Sequence, residues 1–471
     1  MSTRDIETLA RRLADRIGAD RVATDAGTTW AYGMDNSRVH HAPGLVVFPE
    51  SHDEVVEVIR AAAEARIPVT TRGRGTGTAG GSVPVEGGIV LVTDRMTRVI
   101  DFRPEDRLIV VEAGLINADL QRIVGEKGFF WPPDPTSNVL CTVGGNLGAN
   151  AAGPHAVKYG TTRENVLGLR AVDGQGRSIK AGTQTTKGVV GHDLTRLLIG
   201  SEGTLGVITE ATLRLTPLPE TRRLLRAFYP DMHAASEAVS RLMGQPATPA
   251  AIEFLDGNAL DLLRRNSAVE IPEDAGALLM IEVDGDETGI DGLVERIEAA
   301  ANDPDKAIDI AVARTEEEQA SLWAARKALS PTLRQVAPKK INEDVVVPVS
   351  RIPRLIATLD EIARRHAIAI VNFGHAGNGN IHVNLLVNPD DAREMAAAEK
   401  ALTEVFDAVL ALDGTLSGEH GIGYVKREFV SREITPDSLA LMRGIKQVFD
   451  PLGILNPHKK LPDTESADTD G

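Results

Sequence analysis

The sequence predicts a soluble α+β protein of two domains, and three observations carry that expectation. The chain has 471 residues with an ordinary 42% hydrophobic content, too many for one small core. Strand signals alternate with helical stretches and no internal repeat is visible. A double-proline stretch, TPLPE at 216–220, divides a glycine-rich first half from a second half with long helical stretches. The expected domains are therefore 1–217 and 218–461, followed by a polar, acidic tail at 462–471 whose composition predicts disorder.

The elements follow in order. Ile6, Leu9, Leu13 and Ile17 fall on one face of an N-terminal helix, with no long apolar run that would make it a secretory signal. GLVVF (44–48) reads as a strand, and Ser51 with Glu54 forms the start signal of the next helix. IPVTT, GIVLVT (88–93) and RLIVVEAG (107–114) read as strands, and Asn117 can cap a helix that stops at Gly128. From Leu205 to Leu215 apolar residues fall mostly on odd positions, as a half-buried strand requires. Beyond the prolines, LLRAFYP, ALLMIEV, AIDIAVA, EDVVVPV and AIAIVNF are strand candidates between long helices such as SLWAARKALSPTLRQV and DAREMAAAEKALTEVFDAVLALD.

Charge and cysteine content narrow the function. With 51 Lys+Arg against 67 Asp+Glu the net charge is −16, which argues against a nucleic-acid surface or an anionic-membrane patch. No stretch reaches the length of a transmembrane helix, so the chain reads as cytoplasmic, and a homodimer is the default assembly. Cys141 is the only cysteine, which excludes intrachain disulfides and iron–sulfur clusters held by this chain alone.

Two segments carry chemistry. LSGEHGIGYVKREF sets Glu419 and His420 side by side between glycines, and FGHAGNGNIHVNLL supplies His375 and His382. An acidic ligand and two imidazoles make an N/O site suited to zinc or a similar divalent ion, leaving His420 to move protons. A single histidine is more often a hydrogen-bonded core or surface residue; the glycines at 374, 377, 379, 418, 421 and 423 favour the site, since they let small loops approach a ligand. TRGRGTGTAGG (71–81) contains a formal GxGxxG at Gly75, Gly77 and Gly80, but no helix signal follows, so a Rossmann fingerprint is disfavoured. What remains is a turn or a cradle for phosphate oxygens. Two further small-residue loops, at 132–160 and 199–210, favour close backbone approach to a large flat ligand.

These three loops, in this order, resemble the FAD-binding domain of the vanillyl-alcohol oxidase and p-cresol methylhydroxylase type. The second half, through FDPLGILNPHKKL, is similar to the C-terminal domain of the FAD-linked D-2-hydroxyacid dehydrogenases, which act on D-lactate, glycolate or D-2-hydroxyglutarate. The resemblance runs from about Asp35 to Leu461. It implies that Arg72, Gly73, Arg74, Gly75, Thr76, Gly77 and Thr78 wrap the FAD pyrophosphate. It also implies that Pro135, Thr136 and Ser137 with Thr142, Gly145, Asn146, Gly148 and Asn150 line the flavin and ribityl chain. Gly203 and Ile208 would close over the adenine side, and Asn456 would lie near the isoalloxazine. Relatives that link FAD covalently commonly use a histidine of the first loop; here that loop has none, so non-covalent FAD is implied, with His155 as the one alternative anchor.

The same resemblance gives His375, His382 and Glu419 to the metal and His420 to the base. Arg326 would clamp the substrate carboxylate, and Ser330, Asn384 and Lys340 would lie near the substrate. Where 2-hydroxyglutarate enzymes place a threonine and a downstream lysine, this chain has Ser330 and a lysine pair, Lys339 and Lys340, out of register, which favours a small monocarboxylate such as D-lactate or glycolate. Electrons would pass to a quinone, a cytochrome, an electron-transfer flavoprotein or an iron–sulfur subunit, and a partner could place the protein at the inner membrane. Rival readings are a flavin subunit without catalysis, a nicotinamide-dependent dehydrogenase and a flavin-dependent synthase or reductase.

Overall fold

The computed structural model describes residues 3–266, 270–302, 306–313 and 315–463, with the side chains of 3, 330, 331, 334 and 335 outside that set. Most of the acidic tail, 464–471, also lies outside the described residues. Two compact units are formed, and neither is contiguous in sequence. The first comprises 1–152, 160–218 and 419–471; the second comprises 153–159 and 219–418.

The first unit holds two main sheets. One is four-stranded, in the order Val22–Ala23, Leu45–Val47, Ile89–Val92, Val69–Arg72, with the last three strands parallel. It buries its apolar side chains against the helices Thr3–Ile17 and His52–Ala65, and Ile6, Leu9, Leu13 and Ile17 enter this core as their spacing predicts. Ser51 caps the second helix by accepting from Glu54 N–H, while the Glu54 carboxylate bonds Glu50 N–H rather than closing a capping box. The other sheet is antiparallel, in the order Val99–Arg103, Leu108–Glu112, Val207–Arg214, Val166–Val172, Ser178–Gly182, and covers a core that includes Trp131. The helix from Asn117 runs only to Gly125; Asn117 is its first residue rather than its cap, and its amide donates to Pro133 O because the side chain is fully buried. No helix follows the 71–81 loop; the next element is the strand Ile89–Val92.

The C-terminal stretch completes this unit. Val69 N donates to Ile454 O and Asn456 N to Val69 O, both at 2.8 Å, so FDPLGILNP runs beside the strand that delivers the glycine loop.

The second unit is built on a seven-stranded antiparallel sheet in the order Asp309–Ala313, Thr221–Tyr229, Ala277–Gly285, Ala251–Asp256, Ala369–His375, Asn380–Val387, Lys339–Val346. All five strand candidates of the sequence become strands, displaced by a few residues at their ends. The helix Glu316–Val336 starts at a capping box made by Thr315 and Glu318 and carries Arg326. Residues 153–159 belong here through Tyr159 Oη, which donates to Asp284 Oδ2 at 2.7 Å, and through Lys158 on the same carboxylate.

Asp256 shows what burial costs at the end of one of these strands. Its carboxyl accepts from Ala259 N–H and from the backbone and amide N–H of Asn372, yet burial pushes it up to about 7. A raised pKa means that the native state holds the proton between about pH 4 and 7 while the unfolded chain has lost it. The stability this supplies is complete below the unfolded value and is lost as pH rises through 7. Across that window Asp256→Asn should therefore gain on the wild type by on the order of a few kcal/mol. Urea midpoints of the two proteins that stay parallel from pH 4.5 to 8 would show that Asp256 remains ionised in the fold.

Candidate active site

In the first unit the three glycine-rich loops form a cradle with an unsatisfied lining. Thr71 Oγ1, Ser201 Oγ and Asn456 Oδ1 are buried and have no hydrogen-bond partner among the described residues. Buried polar atoms are normally paired, and these three suit a polar ligand. Space for it exists: a Cβ added at Gly77 or Gly148 would meet nothing within 4 Å. Thr142 caps the short helix Val143–Ala149 by accepting from Gly145 N–H at 3.1 Å, and Asn150 ends it in the left-handed conformation at φ 55°. Pro135 to Ser137 open the turn leading into Cys141, which is buried and whose thiol burial pushes up. Gly203, at φ 75°, lies against Thr71, and Ile208 is buried in its strand. Arg72 donates to Met34 O at 2.6 Å and Arg74 to Asp94 at 3.0 Å, so both arginine side chains are anchored at the edge of the first loop.

The GEHGIG segment rests on this same unit. Glu202, in the third loop, accepts from Ile422 N–H at 2.9 Å and Gly423 N–H at 2.6 Å. Tyr424 N donates to Ala79 O at 2.8 Å, and a Cβ at Gly423 would collide with that carbonyl, which is why glycine stands there. Asn456 Nδ2 donates to both Gly81 O and Glu202 O, tying the C-terminal stretch to the first and third loops. Glu202 was not singled out from the sequence, although it is the one acidic residue in an otherwise small, neutral loop, IGSEGTLG.

In the second unit the histidines stand in a buried polar chain. His375 ends one strand and His382 lies on the next, joined by a tight turn at Gly379, φ 72°. Their Nε2 atoms face each other at 3.4 Å. Two imidazole nitrogens so placed are donors a divalent ion could use. His375 Nδ1 is hydrogen-bonded to Glu253 Oε1, and Glu253 Oε2 accepts from Arg326 Nε and Nη2 at 2.8 and 2.7 Å. Burial of Glu253 opposes its charged form, but His375 and Arg326 overcome it and hold the carboxyl below the usual range. The Arg326 guanidinium also lies 4.6 Å from the centre of the Phe373 ring. Beside His382, Asp344 Oδ1 stands 3.8 Å from Nδ1, and the Asp344 carboxylate also takes Asn380 Nδ2, Ser417 Oγ and Gly418 N. Gly418 is the residue from which the chain continues into Glu419 and His420.

The other expected residues sit as follows. Asn384 is fully buried, with Nδ2 on Val371 O and His382 O and Oδ1 on Asn342, so its amide serves the sheet. Lys340 is half-buried on the same face of its strand as Asn342 and Asp344, while Lys339 is exposed on the other face. The side chain of Ser330 lies outside the described residues. His155 Nε2 bonds Glu282 at 3.0 Å within the second unit. Glu253 and Asp344 escaped the sequence reading; their one signal is an acidic residue inside apolar strands, AIEFLD and NEDVVV.

Two family models match the chain. Residues 218–460 match the model of the FAD-linked oxidase C-terminal domain, and 43–182 match an FAD-binding domain. The chain belongs to the family of FAD-linked oxidases. It is 38% identical to the glycolate oxidase subunit GlcD of Bacillus subtilis, over 88% of each chain. It is 32% identical to D-2-hydroxyglutarate dehydrogenase of Stutzerimonas stutzeri, over 93% of this chain and 96% of that one, and 32% identical to D-lactate dehydrogenase of Anaerostipes hadrus, over 88% and 89%. The fold is that of p-cresol methylhydroxylase, with a TM-score of 0.82 over 98% of both chains at 16% identity. No described helix is long and apolar enough to cross a membrane.

Proposed function

We propose that this protein oxidises a small D-2-hydroxyacid, D-lactate first among them, to the 2-oxoacid. The observation that carries this reading is the facing pair of His375 and His382 nitrogens, because a 2-hydroxyacid offers a hydroxyl and a carboxylate oxygen to the same ion. Glycolate, D-lactate and D-2-hydroxyglutarate, named in the relatives, share that arrangement.

In this reading His375, His382 and Glu419 hold a divalent ion, zinc by the donor set. Glu419 follows directly on Gly418, which Asp344 fixes, and that tether supports its place among the ligands. When bound, the ion supplies Lewis acidity at the substrate hydroxyl and FAD supplies the hydride acceptor. His420 takes the hydroxyl proton at an imidazole nitrogen, and Arg326 holds the substrate carboxylate. The loops from Arg72 to Thr78, from Pro135 to Asn150 and around Gly203 and Ile208, with Asn456, hold FAD non-covalently; the engagement of His155 by Glu282 supports this. The sequence division into 1–217 and 218–461 places His375, His382 and Glu419 all in the second domain.

The placement of Lys340 on the face shared with Asn342 and Asp344 favours a second reading, a dicarboxylate whose far end Lys340 meets. Anaerobic titration with D-lactate, L-lactate, glycolate, D-malate and D-2-hydroxyglutarate separates the two. D-lactate should bleach the flavin at the lowest concentration and L-lactate should fail; D-2-hydroxyglutarate or D-malate acting far below D-lactate would replace the monocarboxylate reading. Acid precipitation of the same sample should leave the flavin in the supernatant, and colour in the pellet would mean a covalent link. The acceptor is not NAD but a quinone, a cytochrome, an electron-transfer flavoprotein or an iron–sulfur partner, through which a cytoplasmic protein would reach the inner membrane. The naming of a relative as a subunit supports a partner polypeptide. Reoxidation of the bleached flavin by a soluble quinone, and its failure with NAD, tests that assignment.

A further inference from the structure

Glu253 stands between the two halves of the proposed substrate site. One oxygen meets Nδ1 of His375 and the other accepts the Nε and Nη2 fork of Arg326 at 2.8 and 2.7 Å, in a side chain that is 1% exposed. A carboxylate so placed only accepts, so His375 must carry its proton on Nδ1 and present the Nε2 lone pair toward His382. Outer carboxylates of this kind fix the tautomer and ring plane of a metal-binding imidazole and raise its basicity. The same carboxylate fixes Arg326, whose guanidinium also lies 4.6 Å from the centre of the Phe373 ring.

We propose that Glu253 is a positioning residue that ties metal binding to substrate-carboxylate binding, holding His375 for the ion and Arg326 for the acid through its two oxygens. The proposal rests on the metal and clamp roles given above and adds the group that couples them. A glutamine at 253 has only one acceptor oxygen, and its amide N–H₂ must point at either His375 Nδ1–H or the Arg326 fork, so one of the two is lost.

The test uses the full-length holoenzyme. Zn²⁺ affinity is measured without substrate by competition with a chromophoric chelator, and kcat and KM for D-lactate are measured over a range of Zn²⁺. Glu253→Gln should bind Zn²⁺ about 10–100-fold more weakly, the usual cost of losing an outer carboxylate. Excess Zn²⁺ should return kcat toward the wild-type value while KM stays raised several-fold, because saturating the ion does not restore the anchor of Arg326. Glu253→Asp, which keeps both acceptor oxygens, should fall between the two proteins in both readouts and serves if the glutamine variant does not fold. A merely structural role would lower folded protein without a Zn²⁺-dependent kcat or a persistent KM change, and that pattern overturns the proposal. Unchanged Zn²⁺ affinity and KM in Glu253→Gln overturn it while leaving the metal reading intact. A wild-type protein that binds no divalent ion removes both.

Discussion

Prolonged treatment with a strong chelator should abolish turnover and leave FAD bound, and a divalent ion should restore the activity. The separation of effects follows from where the groups lie. His375 and His382 belong to the sheet of the second unit, whereas the loop residues proposed for FAD belong to the first; Glu419 alone of the proposed metal ligands shares that first unit. His375→Ala and His382→Ala should each reproduce chelation, with turnover lower by about two orders of magnitude or more, because removing one of three protein ligands leaves an open, weak site. Truncation at His375 has a second consequence: Glu253 loses a partner while staying buried on Arg326, so a loss of thermal stability should accompany the loss of metal in that variant. His382→Ala leaves the Glu253 pair in place and should unfold closer to the wild-type temperature. Zinc content, the flavin spectrum and turnover, measured on the same samples, decide the matter. Full activity in protein verified as metal-free would sink the metal assignment, and loss of flavin along with metal would sink the separation.

His420→Ala should lower the rate of flavin reduction by about 10²–10⁴-fold, the range associated with a positioned acid–base group, with FAD and metal content near normal. The residues around His420 are fastened through their backbone N–H groups. Gly418 N is on Asp344, Ile422 and Gly423 N are on Glu202, and Tyr424 N is on Ala79 O. Replacing the imidazole should remove the proposed proton acceptor while these backbone contacts stay in place. Stopped-flow reduction by D-lactate, compared with D-lactate deuterated at C2, separates proton transfer from hydride transfer. A variant that reduces flavin at close to the wild-type rate would place the base elsewhere. Glu202→Gln offers a contrast, since it weakens the fastening and keeps the imidazole, so its effect should be smaller and should include lost flavin.

Much of the fold was legible because its signals are local. The face made by Ile6, Leu9, Leu13 and Ile17, the Ser51 cap and the alternation from Leu205 to Leu215 depend on residues a few positions apart, and each forms the element its spacing predicts. The end of the helix after Asn117 was misjudged for the same reason. It closes at Glu126, whose N–H bonds Arg122 O and Val124 O, before Gly128 turns the chain.

The amino-acid sequence by itself determined the chemical inventory: glycine loops without a following helix, two histidines seven residues apart across a glycine turn, and an adjacent acid and imidazole further on. These are properties of residue type and short spacing. Only the tertiary structure decided which carboxylates serve the histidines. Glu253 reaches His375 from 122 residues away because the register of two antiparallel strands pairs those positions, and Asp344 meets His382 through the register of another pair. Moving either strand by one residue would turn its acid to the opposite face of the sheet. No local pattern fixes such a register; it is set by the burial of whole sheet faces, and so the groups that orient the proposed metal ligands became visible only once the sheet was assembled.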